Sequence, residues 1–500
     1  MPSAVIGLQL MTTGCMVGPD YVAPAAPAVT GYTRGPLGNP RAAGNLGKMP
    51  GAVAQRFVPG GDIGGRWWIA FESKDLNGLV DEALARNPSL EAAQATLDAA
   101  LENVEAQKGT LFPSVTGDDS TSYQKAPGGG LQSPLENQRR FTYALFTPRL
   151  SVSYAPDIFG GQRRQIESVE ARAENERFQL EAAYLTLTTN VVLAAIQEAS
   201  LREQLAVTHR VIEAQENILS LLRKEVALGQ IAQADVVQQE AAVAVSRQAL
   251  APLERQLAIQ RNLLTALSGH FPSEQIRQTF TLASLRLPTR LPVSLPSGLV
   301  EQRPDVRAAA ALLHQASADV GVAIANRLPQ FKISGDAGSS AITLARLATS
   351  SANFYSIAGT VSQPLFDAGT LYHRQRASEE GLVQAQARYK SIVIAAFQNV
   401  ADALSALQSD ADAVSAATNA EKATLKSFDL LQKERVAGAS NNLQVLIAQQ
   451  TYLSALVTAA QTKAARYADT TALFQALGGG WWNRSDVKAP RKGTDFFKFL

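Results

Sequence analysis

The sequence predicts a mainly α fold with a small β part, built as two structural repeats. Three observations lead there. One helix start is written twice, as "ARNPSLEAAQATLDAA" from Ala85 and "EQRPDVRAAAALLHQA" from Glu301. A run without Pro, and without Gly after Gly161, extends to Gly229, and the second half matches it from about 369 to 436. Each half also carries two short stretches whose polarity alternates with period two, the signature of a half-buried strand.

The repeated start aligns without a gap over 88–113 and 304–329, with eight of 26 positions identical, among them Pro88/Pro304 and Pro113/Pro329. Pro is tolerated in the first turn of a helix, where its missing N–H would go unpaired in any case. A second Pro blocks continuation. Each half therefore opens with a helix of about 24 residues.

Two strands per half follow, at about 112–124 and 141–155, then 330–342 and 352–364. Phe146, Leu150, Val152 and Tyr154 share one face of the second strand, opposite Thr147, Arg149, Ser151 and Ser153. Phe331, Ile333 and Ala337 alternate with Lys332, Ser334 and Asp336 in the third. Gly-, Pro- and Ser-rich loops join them, notably 125–139.

The long helices come next. Leu201, Leu205, Ile212, Leu219, Leu222 and Val226 fall on a 4-3 spacing, a seam for a partner helix. A helix over 162–227 is roughly 100 Å long at 1.5 Å per residue. Gly229 and Gly438 end the two long runs, each suited to a left-handed cap. Return helices follow and close on Gly269 and Gly478, 40 residues on in both halves. Pro252 stands inside the first return helix where Gln461 stands in the second, which predicts a kink near 248–252 in the first half alone.

The organisation is then a lipoprotein signal segment (1–14), an extended N-terminal segment (15–66), a first repeat (67–269), a linker (270–298), a second repeat (299–482) and a basic tail (483–500). The Pro-spaced linker is expected to be extended and the tail loose. "MPSAVIGLQLMTTGC" is similar to a bacterial lipoprotein signal ending at Cys15, which would carry a covalent lipid, diacylglycerol with palmitate. It departs from that pattern in lacking a basic residue before its apolar part and in having Thr12 three residues before the cysteine. The alternative is an incidental Cys.

Composition narrows the function. Basic and acidic residues number 46 and 44, net +2, with no concentrated basic face for nucleic acid. No apolar run approaches 18 residues, so ordinary membrane-spanning helices are not expected; barrel strands carry a weaker signal and remain open. Four scattered histidines and one cysteine give no metal spacing. No nucleophile triad, phosphate loop or carboxylate pair in a cleft context suggests an enzyme. Strands of 11–13 residues can cross a bilayer at a tilt. Four cannot close a barrel, and an open edge is forbidden in lipid. A membrane reading thus requires oligomers, and three copies give twelve strands.

Several motifs carry a resemblance: "GCMVGPDYVAP" (14–24), "WWIAFESKDLNGLVDEALARNPSLEAA" (67–93), "DIFGGQRRQIESVEA" (157–171), "LVEQRPDVRAAAALLHQASADVGVAIANRLPQF" (299–331), "QPLFDAG" (363–369) and "ALGGGWW" (476–482). Together they resemble the TolC-like outer-membrane efflux protein family, in its NodT-type lipoprotein branch. The resemblance implies a homotrimer with a twelve-stranded β-barrel in the outer membrane and a helical α-barrel in the periplasm. It implies a passive exit duct that meets a periplasmic adaptor (membrane fusion) protein and an inner-membrane pump, often of the resistance–nodulation–division type. The turns at Gly229 and Gly438 would be its periplasmic tips. Leu443 falls where the family has an apolar constriction residue, and Ile447 where many relatives carry Asp. Equally, Leu443 and Ile447 are i, i+4 neighbours able to pack a helix seam. Asp235 is a candidate acidic lining residue of the first tip, or a solvated surface carboxylate. A structural or adaptor-like periplasmic coiled-coil lipoprotein is the competing reading; it leaves the alternating strands without a purpose.

Overall fold

A computed structural model describes residues 16–35, 38, 51, 53–125 and 142–485. Cys15, the signal segment and the tail beyond 485 lie outside the described residues. In chain order the elements are β1 (Arg56–Pro59), α1 (Lys74–Arg86), α2 (Pro88–Gly109), β2 (Ser114–Lys125), β3 (Thr142–Tyr154), α3 (Gly161–Ala227), α4 (Gln233–Gln248) and α5 (Leu250–Leu267). Then come β4 (Arg290–Val293), α6 (Pro296–Gln302), α7 (Pro304–Ala325), β5 (Gln330–Ser339), β6 (Asn353–Ser362), α8 (Thr370–Val436) and α9 (Asn442–Ala476).

The repeat is metrically strict. α2 and α7 both have 22 residues, and α3 and α8 both have 67. Both long helices start under an aspartate. Asp157 accepts from the backbone N–H groups of Gln162 and Arg163, and Asp367 accepts from those of Gly369 and Leu371. A carboxylate there satisfies orphan donors and opposes the helix dipole. The hydrogen bonds to backbone N–H groups hold the Asp367 carboxyl below the usual range.

The return helices differ as Pro252 predicts. Without an N–H, Pro252 cannot bond the Gln248 carbonyl, and the helix breaks at Ala249 between α4 and α5. α9 is one uninterrupted helix of 35 residues.

The chain divides into two compact units, each drawing on both halves. One comprises 1–24, 97–175 and 309–389, and the other 25–96, 176–308 and 390–500. The first contains the four-stranded sheet. The second is organised around Trp67, Trp68, Phe71, Leu76, Tyr467 and Phe474, all buried, with Trp67 stacked on Phe474 at 5.5 Å. The seam residues Leu201, Leu205, Ile212, Leu219 and Leu222 are buried as their spacing requires.

Two expectations need correction. The linker is not simply extended: β4 within it pairs in parallel with β1, Arg56 facing Arg290, and Phe280, Leu282, Leu285 and Leu287 are buried. Nor is the tail loose from 483. Asn483 donates to Asp62, and Arg484 pairs with the buried Glu181 at 2.8 Å while its guanidinium covers the Tyr184 ring. One helix among the described residues, α7, is long and apolar enough to cross a membrane by length and composition, but half of that stretch is buried. Its Asp319 accepts from Ser168, so it is packed as a core helix.

Candidate functional site

The sheet runs in the order β2-β3-β5-β6, antiparallel throughout. Its register puts Val115 opposite Val152, Leu150 opposite Ala337 and Ala337 opposite Tyr355. Alternation then gathers Val115, Tyr123, Leu150, Val152, Ile333, Tyr355, Ile357 and Val361 on one face. That face is bare: Tyr123, Tyr355 and Ile357 are 80%, 83% and 81% exposed. A contiguous apolar surface of this kind marks a contact with lipid or protein. The opposite face is polar. Ser151 donates to Asp336 at 2.7 Å, Ser356 donates to the other oxygen of Asp336, and Arg149 lies 3.7 Å from Asp118. Among the described residues, the outer edges of β2 and β6 have no strand partner.

In the other unit, the two helix–turn–helix ends are built alike. Gly229 and Gly438 take φ +70° and +76°, a left-handed cap that glycine adopts without strain. The N–H of Gln230 bonds Glu225, and that of Ala439 bonds Glu434, the same six-residue closure. Ile218, Leu219, Leu222 and Val236 from the first half join Phe428, Val445 and Ala448 from the second in one cluster. Asn442 donates to the backbone carbonyl of Asp235. Asp235 lies half-exposed in the first turn of α4. Leu443 and Ile447, 50% and 57% exposed, stand on the opposite face of α9 from Val445 and Ala448. Neither belongs to the apolar cluster that joins the two helix ends.

A third arrangement escaped sequence reading. The Arg164 side chain, 2% exposed, donates to the carbonyls of Val17 and Gly18 and pairs with Asp20 and Glu167, both at 2.7 Å. Tyr21 stacks on His314 at 4.3 Å, and His314 bonds Glu167 at 2.9 Å. The segment from Met16 is thereby clipped to α3 and α7. The motifs "GCMVGPDYVAP" and "DIFGGQRRQIESVEA" contain most of its residues, but nothing in the sequence shows that they meet. No group of three or more metal-ligating side chains occurs among the described residues.

Comparison with known proteins agrees with this geometry. The chain is 30% identical over 418 residues to the pyoverdine export outer membrane protein OpmQ of Pseudomonas putida, covering 83% of this chain and 88% of that one. It is 26% identical over 474 residues to the antibiotic efflux pump outer membrane protein ArpC of Pseudomonas putida, covering 94% of each. The CmeC outer membrane channel of Campylobacter jejuni has the same fold, with TM-score 0.83 at 21% identity, over 95% of this chain and 97% of that one. The profile of the outer membrane efflux protein family matches residues 79–270 and 295–479, and the chain belongs to that family.

Proposed function

We propose that the protein is the exit duct of a tripartite efflux system, working as a homotrimer that conducts small molecules out of the cell. One observation carries this reading: a four-stranded sheet with an apolar face, a polar face and two open edges. In lipid each unpaired edge group costs several kcal/mol, and four strands are about half the practical minimum for closure. Three copies supply twelve strands, with apolar residues toward lipid and the Asp118–Arg149–Asp336 face toward a water-filled lumen. The long helices of three copies would form a periplasmic α-barrel, with Gly229 and Gly438 at tips that meet a periplasmic adaptor and, through it, an inner-membrane pump of the resistance–nodulation–division type. Leu443 and Ile447, turned from the chain's own core, would line an apolar constriction. A covalent lipid on Cys15 would anchor the start of the clipped segment.

Relatives named for pyoverdine and antibiotic export support a cargo of small organic molecules, selected by the pump. A structural coiled-coil lipoprotein would leave the bare apolar sheet face unexplained. Outer-membrane fractions run on gels without heating test the reading. A heat-sensitive trimer, together with antibiotic sensitivity on deletion, is expected; a soluble monomer would overturn it.

A further inference from the structure

Each half contributes one hairpin to the sheet, and the displacement between the two can be read from their registers. Val115 faces Val152 in the first, and Phe331 faces Val361 in the second. The leading strand is therefore displaced by 216 residues (115 to 331) and the trailing strand by 209 (152 to 361). The helices agree: α2 and α7 begin at 88 and 304, α3 and α8 at 161 and 370. The join between halves is also fixed, since β3 pairs with β5, Ser151 opposite Asp336 and Val152 opposite Gly335.

Resting on the proposed trimer, we infer that β6 of one copy closes onto β2 of a second copy with the register of the internal β3–β5 join. Carrying Ser151 and Asp336 through the two displacements places Thr360 opposite Ser120 of that copy. The same operation places Ile357 opposite Tyr123, Gly359 opposite Thr121 and Ala358 opposite Ser122. Parity is kept, so the apolar face continues across the junction; a slip of one residue would turn every side chain of the strand to the wrong face.

A second observation points to the same neighbour. At the internal join, the loop after β3 covers the junction between α7 and β5: Phe159 lies 6.4 Å from Phe331, ring to ring. The matching loop after β6 carries Leu365 and Phe366, 94% and 91% exposed. The matching junction, between α2 and β2, offers Val115, the register equivalent of Phe331, 65% exposed. A head-to-tail contact between these two exposed apolar places closes a ring when the rotation permits.

The register is tested with Thr360→Cys combined with Ser120→Cys in the full chain, oxidised in outer membranes and run on non-reducing gels. Within one chain these positions lie on opposite edges of the sheet, three strand spacings or at least ~14 Å apart across it and further along the strands, beyond disulfide reach. A bridge must therefore join two copies. Reductant-sensitive species up to three chain masses are expected, absent from either single variant. Thr360→Cys with Thr116→Cys, four residues out of register, should give less than about a tenth of that yield. Ala358→Cys with Ser122→Cys is a second in-register pair should the first not assemble. An unheated trimer that bridges neither in-register pair, or bridges 360 to 116 better, overturns the register and leaves the trimer standing. An unheated monomer overturns the trimer and the register with it.

Discussion

Arg435, in the last turn of α8, donates to the carboxylate of Glu225 in the last turn of α3, so an ion pair joins the two tips of the chain beside their shared apolar cluster. The side chains are 11% and 23% exposed. A pair so placed is screened less than a surface pair, and losing one partner leaves the other charge partly desolvated. Arg435→Ala should weaken the tip locally by about 1–3 kcal/mol, with little change in global assembly because the apolar cluster persists. The measurement is sensitivity to vancomycin, too large for ordinary porins. Arg435→Ala and Glu225→Ala should both raise it, and the exchanged pair Glu225→Arg with Arg435→Glu should restore resistance. Unchanged sensitivity in all three would show that the pair does not restrain the tip.

Leu443→Asp tests closure from the other side. Leu443 is half-exposed and lies outside the cluster that joins the helix ends, so the substitution has little folding cost within a protomer. If three copies bring Leu443 together, three carboxylates would repel and hydrate the constriction. Expected are a several-fold rise in vancomycin sensitivity and an unaltered unheated trimer band. Ile447→Asp should act similarly one turn away. A trimer of normal sensitivity removes the constriction role.

Much of this architecture was legible because it depends on local rules. Pro88 and Pro304 start helices, Gly229 and Gly438 end them, and Pro252 breaks one; each acts through its own backbone. The period-two strands were readable because only one of their faces is apolar. What stayed hidden was non-local. β1 and β4 are four residues each, contain Pro59 and Pro292, and meet across more than two hundred residues. Arg164, Arg466 and Arg484 look like surface charges until the groups they donate to are in place: backbone carbonyls and carboxylates for Arg164, the carbonyls of Gly51 and Val53 for Arg466, and the Glu181 carboxylate for Arg484. The side on which Leu443 stands was undecidable from i, i+4 spacing, because both faces of α9 offer apolar residues.

The Arg164 clip predicts a defect distinct from those at the tips. Gly18 has φ +94°, and a Cβ there would lie 2.4 Å from the Gly321 Cα. Gly18→Ala should therefore unseat the segment by backbone strain and collision, while Arg164→Met leaves its carbonyls without donors. In either variant, cleavage between 16 and 35 by added protease should rise at least about tenfold, the ratio that ~1.4 kcal/mol of lost docking gives. The strand cross-links should be unaffected. Equal cleavage in wild type and both variants would mean that the segment is not held by this contact.

Asp410 gives the chain a pH dependence of definite sign. Burial, reinforced by the neighbouring Asp469 carboxylate, pushes its carboxyl up to about 7; Arg466 pulls the other way without reversing the shift. An unfolded Asp titrates near 3.9. Between about pH 4 and 7 the native state thus holds more protons than the unfolded chain, so this group makes stability fall as pH rises through that window. Its contribution is fully present below the unfolded value and lost above the folded one. Thermal unfolding in detergent should show a higher Tm at pH 5 than at pH 8. Asp410→Asn, which keeps the shape and removes the charge, should flatten that slope and raise the Tm chiefly at pH 8. Asp469→Asn should flatten it in part, by removing the repulsion while leaving the burial. If wild type and Asp410→Asn show the same slope between pH 5 and 8, the proton does not reside on this pair.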